Sequence, residues 1–451
     1  MASTYLTSNT GTATNAKKFT LSMWIKRSSL CDTNSQRFYQ GYQDGNNRFY
    51  AMFDNTNSYP DSLWVYAVTG GSTQVYWYSA RKFRDLNAWY HIVFSADSTQ
   101  ASQADRLKVY VNGVEETSWT KTNNPSQNID WGNQLAQSNN DLTISGTESQ
   151  TQLFDGSMSH IHFIDGTAYD ATAFGSTDAT TGEWKINTSP SVTYGNNGYF
   201  ILKDGNSVTD QSPNSNNFTV GGGTLTKTED CPSNVFATMN PLDYNSTTIE
   251  EGNNRIAWSQ SAGNFAITTG TIGMTTGKYY WEAKVTSDDN STGIHLGVLQ
   301  TEPYISRTTS PTVNTSLFYG LGIRLATNKS VYRTSNGTDS SISDTWSNNS
   351  VIRIAYDGDA GKIYMWKDAT EFNGQTFSSN TSFNSATLTA GTMVLPFIGF
   401  GDGGSGTKNA HANFNFGNGY FGSTQISSAG TNASGNGIFE YDVPTGFTAL
   451  S

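Results

Sequence analysis

Apolar and polar positions alternate along the chain in short stretches, and a two-residue period is the mark of a strand with one buried face. In FTLSMWIKR, Phe19, Leu21, Met23 and Ile25 share a face. AWYHIVFSAD carries Tyr90, Ile92 and Phe94 on one side and His91 and Val93 on the other, so it is expected to be apolar on both faces and central in its sheet. LKVYVNGVE points Leu107, Val109 and Val111 inward and then turns at Asn112-Gly113, a pair suited to a type I′ turn because both positions need positive φ. DLTISG and FDGSMSHIHFID continue the series. A second series runs through NFAITTG, KYYWEAKVTS, HLGVLQ, FYGLGIRL, SVYRTS, VIRIAYD, KIYMWKD, VLPFIGFGD and ANFNFGNGYF, with a turn beginning at Asp357-Gly358. No long segment carries a 3.6-residue period. Closely spaced strands joined by turn signals predict an all-β fold of two antiparallel β-sandwich lobes.

The two series divide the chain. Residues 1–190 are expected to form the first sandwich and 241–436 the second. Residues 191–240 read as an ordered connecting strap that holds one apolar strand, Tyr199 to Leu202, and one flexible point at Gly221-Gly222-Gly223. The ending, 437–451, carries Ile438, Phe439, Tyr441, Val443, Phe447 and Leu450. That is too much apolar surface to leave in water, so this tail is expected to dock on the second lobe or on a neighbour.

Composition narrows the class. The chain has 451 residues with 14% charged side chains, against roughly 25% in an average soluble protein. Aromatics make up 13% and glycine 44 residues, a balance that favours strands and turns and opposes disorder. The net charge of −11 excludes a general nucleic-acid binder. Residues 121–204 alone hold three basic and nine acidic side chains, or −6 of that total. Cys31 and Cys231 stand 200 positions apart and read as unpaired thiols rather than a disulfide framework. No stretch approaches the ~20 apolar residues of a membrane span, and the start of the chain has no apolar export core.

The motifs carry a resemblance. FTLSMWIKR, NAWYHIVFSAD, LKVYVNGVEE and LFDGSMSHIHFIDG, in that order, resemble the laminin-G/pentraxin-like branch of the concanavalin A-like superfamily. KYYWEAKV, VIRIAYDGDAGKIYMWKD, IGFGDG and NFNFG resemble a SPRY-like module of the same jelly-roll superfamily. YGNNGYFILKD, DQSPNSNNFTV, PSNVFATMNPLD and the ending FEYDVPTGFTALS are similar to a family of tailed-phage virion proteins from marine and environmental phages. The resemblance implies a virion structural protein, such as a tail fibre, adhesin or capsid appendage. Such a protein is assembled in the host cytoplasm, displayed on the virion surface and attached to other virion proteins. A homo-oligomer, by analogy with phage fibres a trimer, or many copies per particle is expected. Neither nucleic acid nor membrane insertion is expected.

Candidate chemistry is sparse. Some concanavalin A-like folds hydrolyse glycans with carboxylates set across the scissile bond. The Glu-x-Asp-x-x-Glu run of the jelly-roll glucanases does not occur, and Glu115-Glu116 and Glu250-Glu251 point to opposite sides if extended. The chain therefore reads as a non-enzyme without a cofactor. His160 and His162 share a strand face by periodicity, yet zinc needs three or four ligands. The laminin-G resemblance leaves calcium open, with Asp97, Asp155 and the stretch Asp165 to Asp178 as candidate ligands. Trp24, Trp89, Trp281 and Trp366 lie within alternating strands and read as core. Tyr59, Trp119, Trp131, Tyr304 and Trp346 lie in polar, turn-rich sequence and are the candidate contacts for a host-surface polysaccharide. The expected function is a non-enzymatic adhesin holding glycan through repeated weak contacts. A purely architectural capsid or tail decoration protein and a polysaccharide depolymerase are the alternatives.

Overall fold

The computed structural model describes residues 4–31, 34–56, 58–131, 141–203, 207–244, 247–261, 265–288, 293–300, 320–325, 330–335, 338–372, 388–401 and 407–451. Among them the chain forms strands, turns and two short 3-10 turns, with no α-helix. It divides into two compact units: Met1–Lys227 with Cys231–Ser233, and Thr228–Asp230 with Asn234–Ser451.

The strands of the first unit are β1 (Tyr5–Asn9), β2 (Lys18–Arg27), β3 (Gln36–Asp44), β4 (Asn47–Phe53), β5 (Ser62–Thr69), β6 (Ser72–Lys82), β7 (Tyr90–Asp97), β8 (Leu107–Val111), β9 (Val114–Glu115), β10 (Trp119–Asn123), β11 (Asp141–Ile144), β12 (Gly156–Asp165), β13 (Gly175–Thr177), β14 (Trp184–Ile186), β15 (Tyr199–Ile201) and β16 (Thr219–Gly222). An eight-stranded sheet runs β10-β6-β5-β4-β3-β11-β1-β16, and a six-stranded sheet runs β15-β12-β2-β7-β8-β9. Phe19, Leu21, Met23 and Ile25 of β2 enter a core that also takes Phe49, Ala51 and Phe53 from β4 and Val65 and Ala67 from β5. Burying each of the larger side chains contributes about 1.5–3 kcal/mol.

Strand β7 is buried on both sides. Ile92 and Phe94 point into the core, while Val93 joins Ile164, Ala171 and Phe174 in a second cluster roofed by Tyr169, Trp184 and Tyr194. The β8–β9 turn has Asn112 at φ 49° and Gly113 at φ 80°, as its Asn-Gly sequence demands. Gly113 is also pressed against the Trp184 ring, where a Cβ would lie 2.3 Å from the indole. Arg27 lies fully inside, paired to Asp61 at 3.1 Å and stacked 4.5 Å over Phe53. Its guanidinium also reaches Cys31 Sγ at 3.0 Å. Burial pushes the Cys31 thiol up to about 11, so it stays protonated.

The segment expected as a connecting strap contributes strands to the first unit. β15 pairs with β12, and β16 pairs with β1 at the edge of the larger sheet. The glycines expected to be its flexible point are part of this pairing. Gly221 and Gly222 lie against the Tyr5 ring, where a Cβ would fall 2.2 and 2.6 Å away. Glycine serves close approach here rather than flexibility.

The second unit also has two large sheets. One runs Met239–Tyr244, Phe265–Gly270, Val394–Gly401, Gly293–Gln300, Gly320–Leu325, Ser330–Ser335 and Thr338–Thr345. The other runs Thr247–Glu250, Arg255–Ser261, Thr407–Asn415, Lys278–Asp288, Val351–Asp357, Lys362–Lys367 and Thr370–Glu371. Thr448–Ala449 adds a short parallel strand beside Tyr279 and Tyr280. The C-terminal segment thus docks on its own unit, with Phe439, Val443, Phe447 and Leu450 in the core, while Ile438 stays exposed.

Glu282 holds this docking. Its carboxylate is fully buried and accepts the Glu440 and Tyr441 backbone N–H groups at 2.9 Å each. It also accepts the Tyr280 hydroxyl at 2.9 Å and the Asn415 amide at 3.3 Å. Burial raises its pKa, and these four donors oppose the rise. Replacing Glu282 with Ala strands several buried donors, each costing about 1–3 kcal/mol. We expect Glu282→Ala to lower the stability of the second unit by roughly 3 kcal/mol or more. Faster hydrogen exchange in peptides covering residues 437–451 would report it, and unchanged protection would refute it.

Candidate functional site

The outer face of the eight-stranded sheet follows from the same alternation that fills the core. With Phe49, Val65, Val75 and Trp77 turned inward, the intervening positions must face out. Those positions hold Arg48 and Tyr50 on β4, Trp64 and Tyr66 on β5, and Tyr76 and Tyr78 on β6. Register sets them side by side. Tyr50 pairs with Tyr66 and Tyr66 with Tyr76, while Trp64 pairs with Tyr78.

The rings stack along and across these rows. Tyr50 and Tyr66 lie 4.9 Å apart at 26°, and Trp64 and Tyr78 lie 5.2 Å apart at 21°. Tyr59, carried on the turn between β4 and β5, extends the series by stacking on Tyr78 at 4.3 Å and 12°. Tyr50 and Tyr78 are largely covered by their neighbours, whereas Tyr59, Trp64, Tyr66 and Tyr76 remain half-buried. The indole Nε1 of Trp64 is enclosed without a hydrogen-bond partner among the described residues. A concavity of about 270 Å³ opens beside the stack, lined by Tyr59, Tyr76, Tyr78 and the hydroxyl-bearing Thr56, Thr120 and Thr122.

The row continues across the sheet. Tyr76, Tyr66, Tyr50, Gln40, Thr143, Thr7 and Thr219 are successive register partners on seven strands. Two further concavities lie on it. One, of about 360 Å³, adjoins Arg37, Arg48 and Tyr50, and one of about 680 Å³ adjoins Thr143, Thr7 and Thr219. At about 4.8 Å per strand the row measures close to 29 Å. Apolar rings followed by hydroxyl and amide groups make a surface that can stack on sugar faces and bond their hydroxyls.

Of the expected contact residues, Tyr59 joins this face. Trp119 lies on β10 but points the other way. It packs 5.6 Å from Trp77, and its Nε1 donates to the Glu116 carbonyl at 2.5 Å. Trp131 was expected at the surface and is instead 1% exposed, edge-on to Phe19 at 5.7 Å. Trp346 likewise is 3% exposed in the core of the second unit. For both, the gain from burying an indole outweighs the polar context of the flanking turn. Tyr304 lies outside the described residues. The stretch 62–78 was missed as a site. Its signal was the run of rings at alternate positions in LWVY and VYWY, which puts Trp64 and Tyr66, and Tyr76 and Tyr78, on one face.

The candidate cation ligands are engaged within the protein. Asp97 accepts from Thr99 N, Thr99 Oγ1, Gln100 Nε2 and Lys18 Nζ at 2.6–3.0 Å. Partial burial works to raise its pKa, but these bonds bring it down to about 2. Asp155 accepts from the Ser29 hydroxyl at 2.8 Å. Asp165 holds the Thr14 N–H at 2.7 Å, Asp170 the Thr172 N–H at 2.8 Å, and Asp178 pairs with Lys185 at 3.0 Å. Among the described residues, no three His, Cys, Asp or Glu side chains converge on one point.

The paired histidines do not form the simple two-residue face expected. The β12–β2 register shifts between Ser159 and His162, and His160 takes φ 47° at the irregularity. His160 Nδ1 meets Ser159 Oγ at 2.7 Å and His162 Nδ1 meets the Tyr194 hydroxyl at 2.9 Å. His162 stacks on Phe200 at 3.8 Å. Nearby, His91 is stacked between Trp24 at 4.7 Å and Trp184 at 6.0 Å. Trp184 Nε1 donates to its Nδ1 at 3.0 Å. Because an indole N–H only donates, His91 carries its proton on Nε2 and donates it to Ser22 Oγ at 2.8 Å. Burial lowers the His91 pKa to about 3 and holds His162 well below the ordinary range.

Residues 1–172 match the family model of the concanavalin A-like lectin/glucanases superfamily. The first unit thus has the concanavalin A-like sandwich fold. Among solved structures, the chain is similar to the SPRY domain of human HERC1, at 17% identity over 39% of this chain and 96% of that one, with a TM-score of 0.28. The PSpry domain of TRIM65 is 11% identical over 40% of this chain and 88% of that one, with a TM-score of 0.29. The heptameric SAP-like pentraxin from Limulus polyphemus is 14% identical over 49% of this chain and 95% of that one, with a TM-score of 0.29. No curated protein matches the chain.

Neutral His91 and His162 make the first unit sensitive to acid. A histidine whose folded pKa is depressed stabilises the fold above its ordinary pKa of 6.5, and that contribution is lost as pH falls toward the folded value. Each such histidine costs about 1.4 kcal/mol per pH unit in that window. We expect protection from hydrogen exchange in peptides spanning residues 90–97 and 156–165 to fall between about pH 6.5 and 4.5, after correction for intrinsic rates. Constant protection across that range would contradict this.

Proposed function

We propose that the chain is a non-enzymatic surface adhesin of a phage virion, holding host-surface glycan on the outer face of its eight-stranded sheet. The observation that carries this reading is the stack Tyr59–Tyr78–Trp64 with its neighbours Tyr76 and Tyr66, half-open to solvent and bordered by threonine hydroxyls. Rings supply flat apolar contact, and a few polar groups fix orientation. The lectin-bearing superfamily matched over residues 1–172 is consistent with a binding role. The virion setting rests on the sequence resemblance of the connector and the C-terminal segment.

A shallow face of this kind binds weakly per site, since association entropy offsets much of the small area buried. Retention then comes from repetition, because linked sites raise the effective concentration of the second contact. A homo-oligomer or many copies on one particle, anchored by other virion proteins, supplies that repetition. Calcium has no part in this scheme.

Trp64→Ala and Tyr76→Ala should each weaken binding of the full-length protein to purified host polysaccharide by tenfold or more, with far-UV circular dichroism unchanged. Competition of phage adsorption by the wild-type protein, and its loss in both variants, is the matching test on cells. Equal binding by wild type and both variants would refute the proposed face. Release of reducing ends from the polysaccharide would instead favour a depolymerase.

A further inference from the structure

We infer that the glycan held on this face is acidic, and that its carboxylate or sulfate group is taken by Arg48 and Arg37 beside the tyrosine row. This rests on the reading of the face as a glycan platform and names the chemical class of its ligand.

The two arginines stand out against a chain of net charge −11. Both lie on the outer face and line the same concavity of about 360 Å³, together with Tyr50, the last ring of the row. Each guanidinium is laid over a ring of the platform, Arg37 at 3.9 Å from the Tyr50 centroid and Arg48 at 5.4 Å from that of Tyr66. Stacking of this kind fixes the plane of the fork and leaves its edges free to bond an anion. The Nε–H of both arginines is shielded from solvent and has no hydrogen-bond partner among the described residues.

The two cations are not equivalent. Arg37 is already engaged by Gln40 and by Gln152, and its charge faces Glu148, which accepts from Gln40 Nε2 at 2.6 Å. Arg48 donates to the Tyr66 hydroxyl at 3.4 Å and has no carboxylate partner among the described residues. Arg48 is therefore the main anion contact, and Glu148 is the group that opposes it. Stacking and charge recognition lie next to each other: Tyr50 lines the arginine concavity and stacks on Tyr66, which pairs with Tyr76 at the ring end. A strand spacing of about 4.8 Å is close to the length of one sugar unit. A polysaccharide lying across the strands would then place a neutral face on Tyr66 and Tyr76 and an acid group at Arg48.

The test is calorimetric titration of the full-length protein with three probes at low salt: a galacturonate hexasaccharide, a sulfated dextran oligosaccharide and a neutral glucan hexasaccharide. Either or both acidic probes should bind at least tenfold tighter than the neutral one, and the stronger of the two identifies carboxylate or sulfate as the preferred acid. Arg48→Gln should bring the ratio of acidic to neutral affinity close to one. Glu148→Gln, which removes an exposed opposing charge, should raise that ratio. Equal affinity for acidic and neutral probes in the wild type, or a preference that survives Arg48→Gln, overturns the inference. The platform itself stands in those cases if Trp64→Ala still abolishes binding. Acidic binding that ignores Trp64→Ala overturns the platform instead, and no binding of any probe overturns both.

Discussion

The pleat of a β-strand gives every strand two faces, and the first unit is organised by how each sheet disposes of its second one. Both sheets turn one face into a shared core of Phe, Leu, Ile, Val and Trp. The outer face of the six-stranded sheet is roofed by the segment carrying Tyr169, Phe174, Trp184 and Tyr194, so Val93 and His91 are as buried as the core proper. The outer face of the eight-stranded sheet is also aromatic, yet Trp64, Tyr66 and Tyr76 stay half-open and cover one another in place of a roof. That asymmetry separates the stabilising side of the sandwich from the side that can meet a ligand.

Polar groups inside both units are settled by the same constraint. Several buried ionisable side chains have a defined set of partners. Arg27 lies between Asp61, the Phe83 carbonyl and the Cys31 thiol. Glu282 replaces water for two backbone N–H groups of the C-terminal segment, turning a chain end into part of the core. Asp97 and Asp178 hold their own turns, and Asp165 ties down the distant Thr14 and Asn197 N–H groups, which is why an acidic region need not be a cation site. On the tyrosine face, by contrast, Arg48 has no carboxylate partner among the described residues and is held only by the Tyr66 ring and hydroxyl.

Much of this was written in local pattern. Period-two alternation marked β2, β7 and β8 with the correct faces inward, because pleat geometry makes neighbouring side chains diverge whatever the rest of the chain does. The Asn112-Gly113 turn was legible for an equally local reason, since few residue pairs tolerate two successive positive φ values. The apolar ending announced its own docking by the cost of leaving Phe439 and Phe447 in water.

The site was decided by tertiary structure. Neighbouring residues in polar sequence do not reveal which way a lone indole turns, and Trp131 and Trp346 went inward once a core was there to receive them. Conversely, only the pairing of β4, β5 and β6 puts Tyr50, Tyr66 and Tyr76 in one row. Gly221 and Gly222 gave the matching lesson, since a glycine run signals flexibility alone but close approach when Tyr5 lies across it. Alternation along one strand says that two faces exist. Which face meets solvent, and which side chains from distant strands share it, depends on register and on what packs over the sheet, and neither is a property of any one segment.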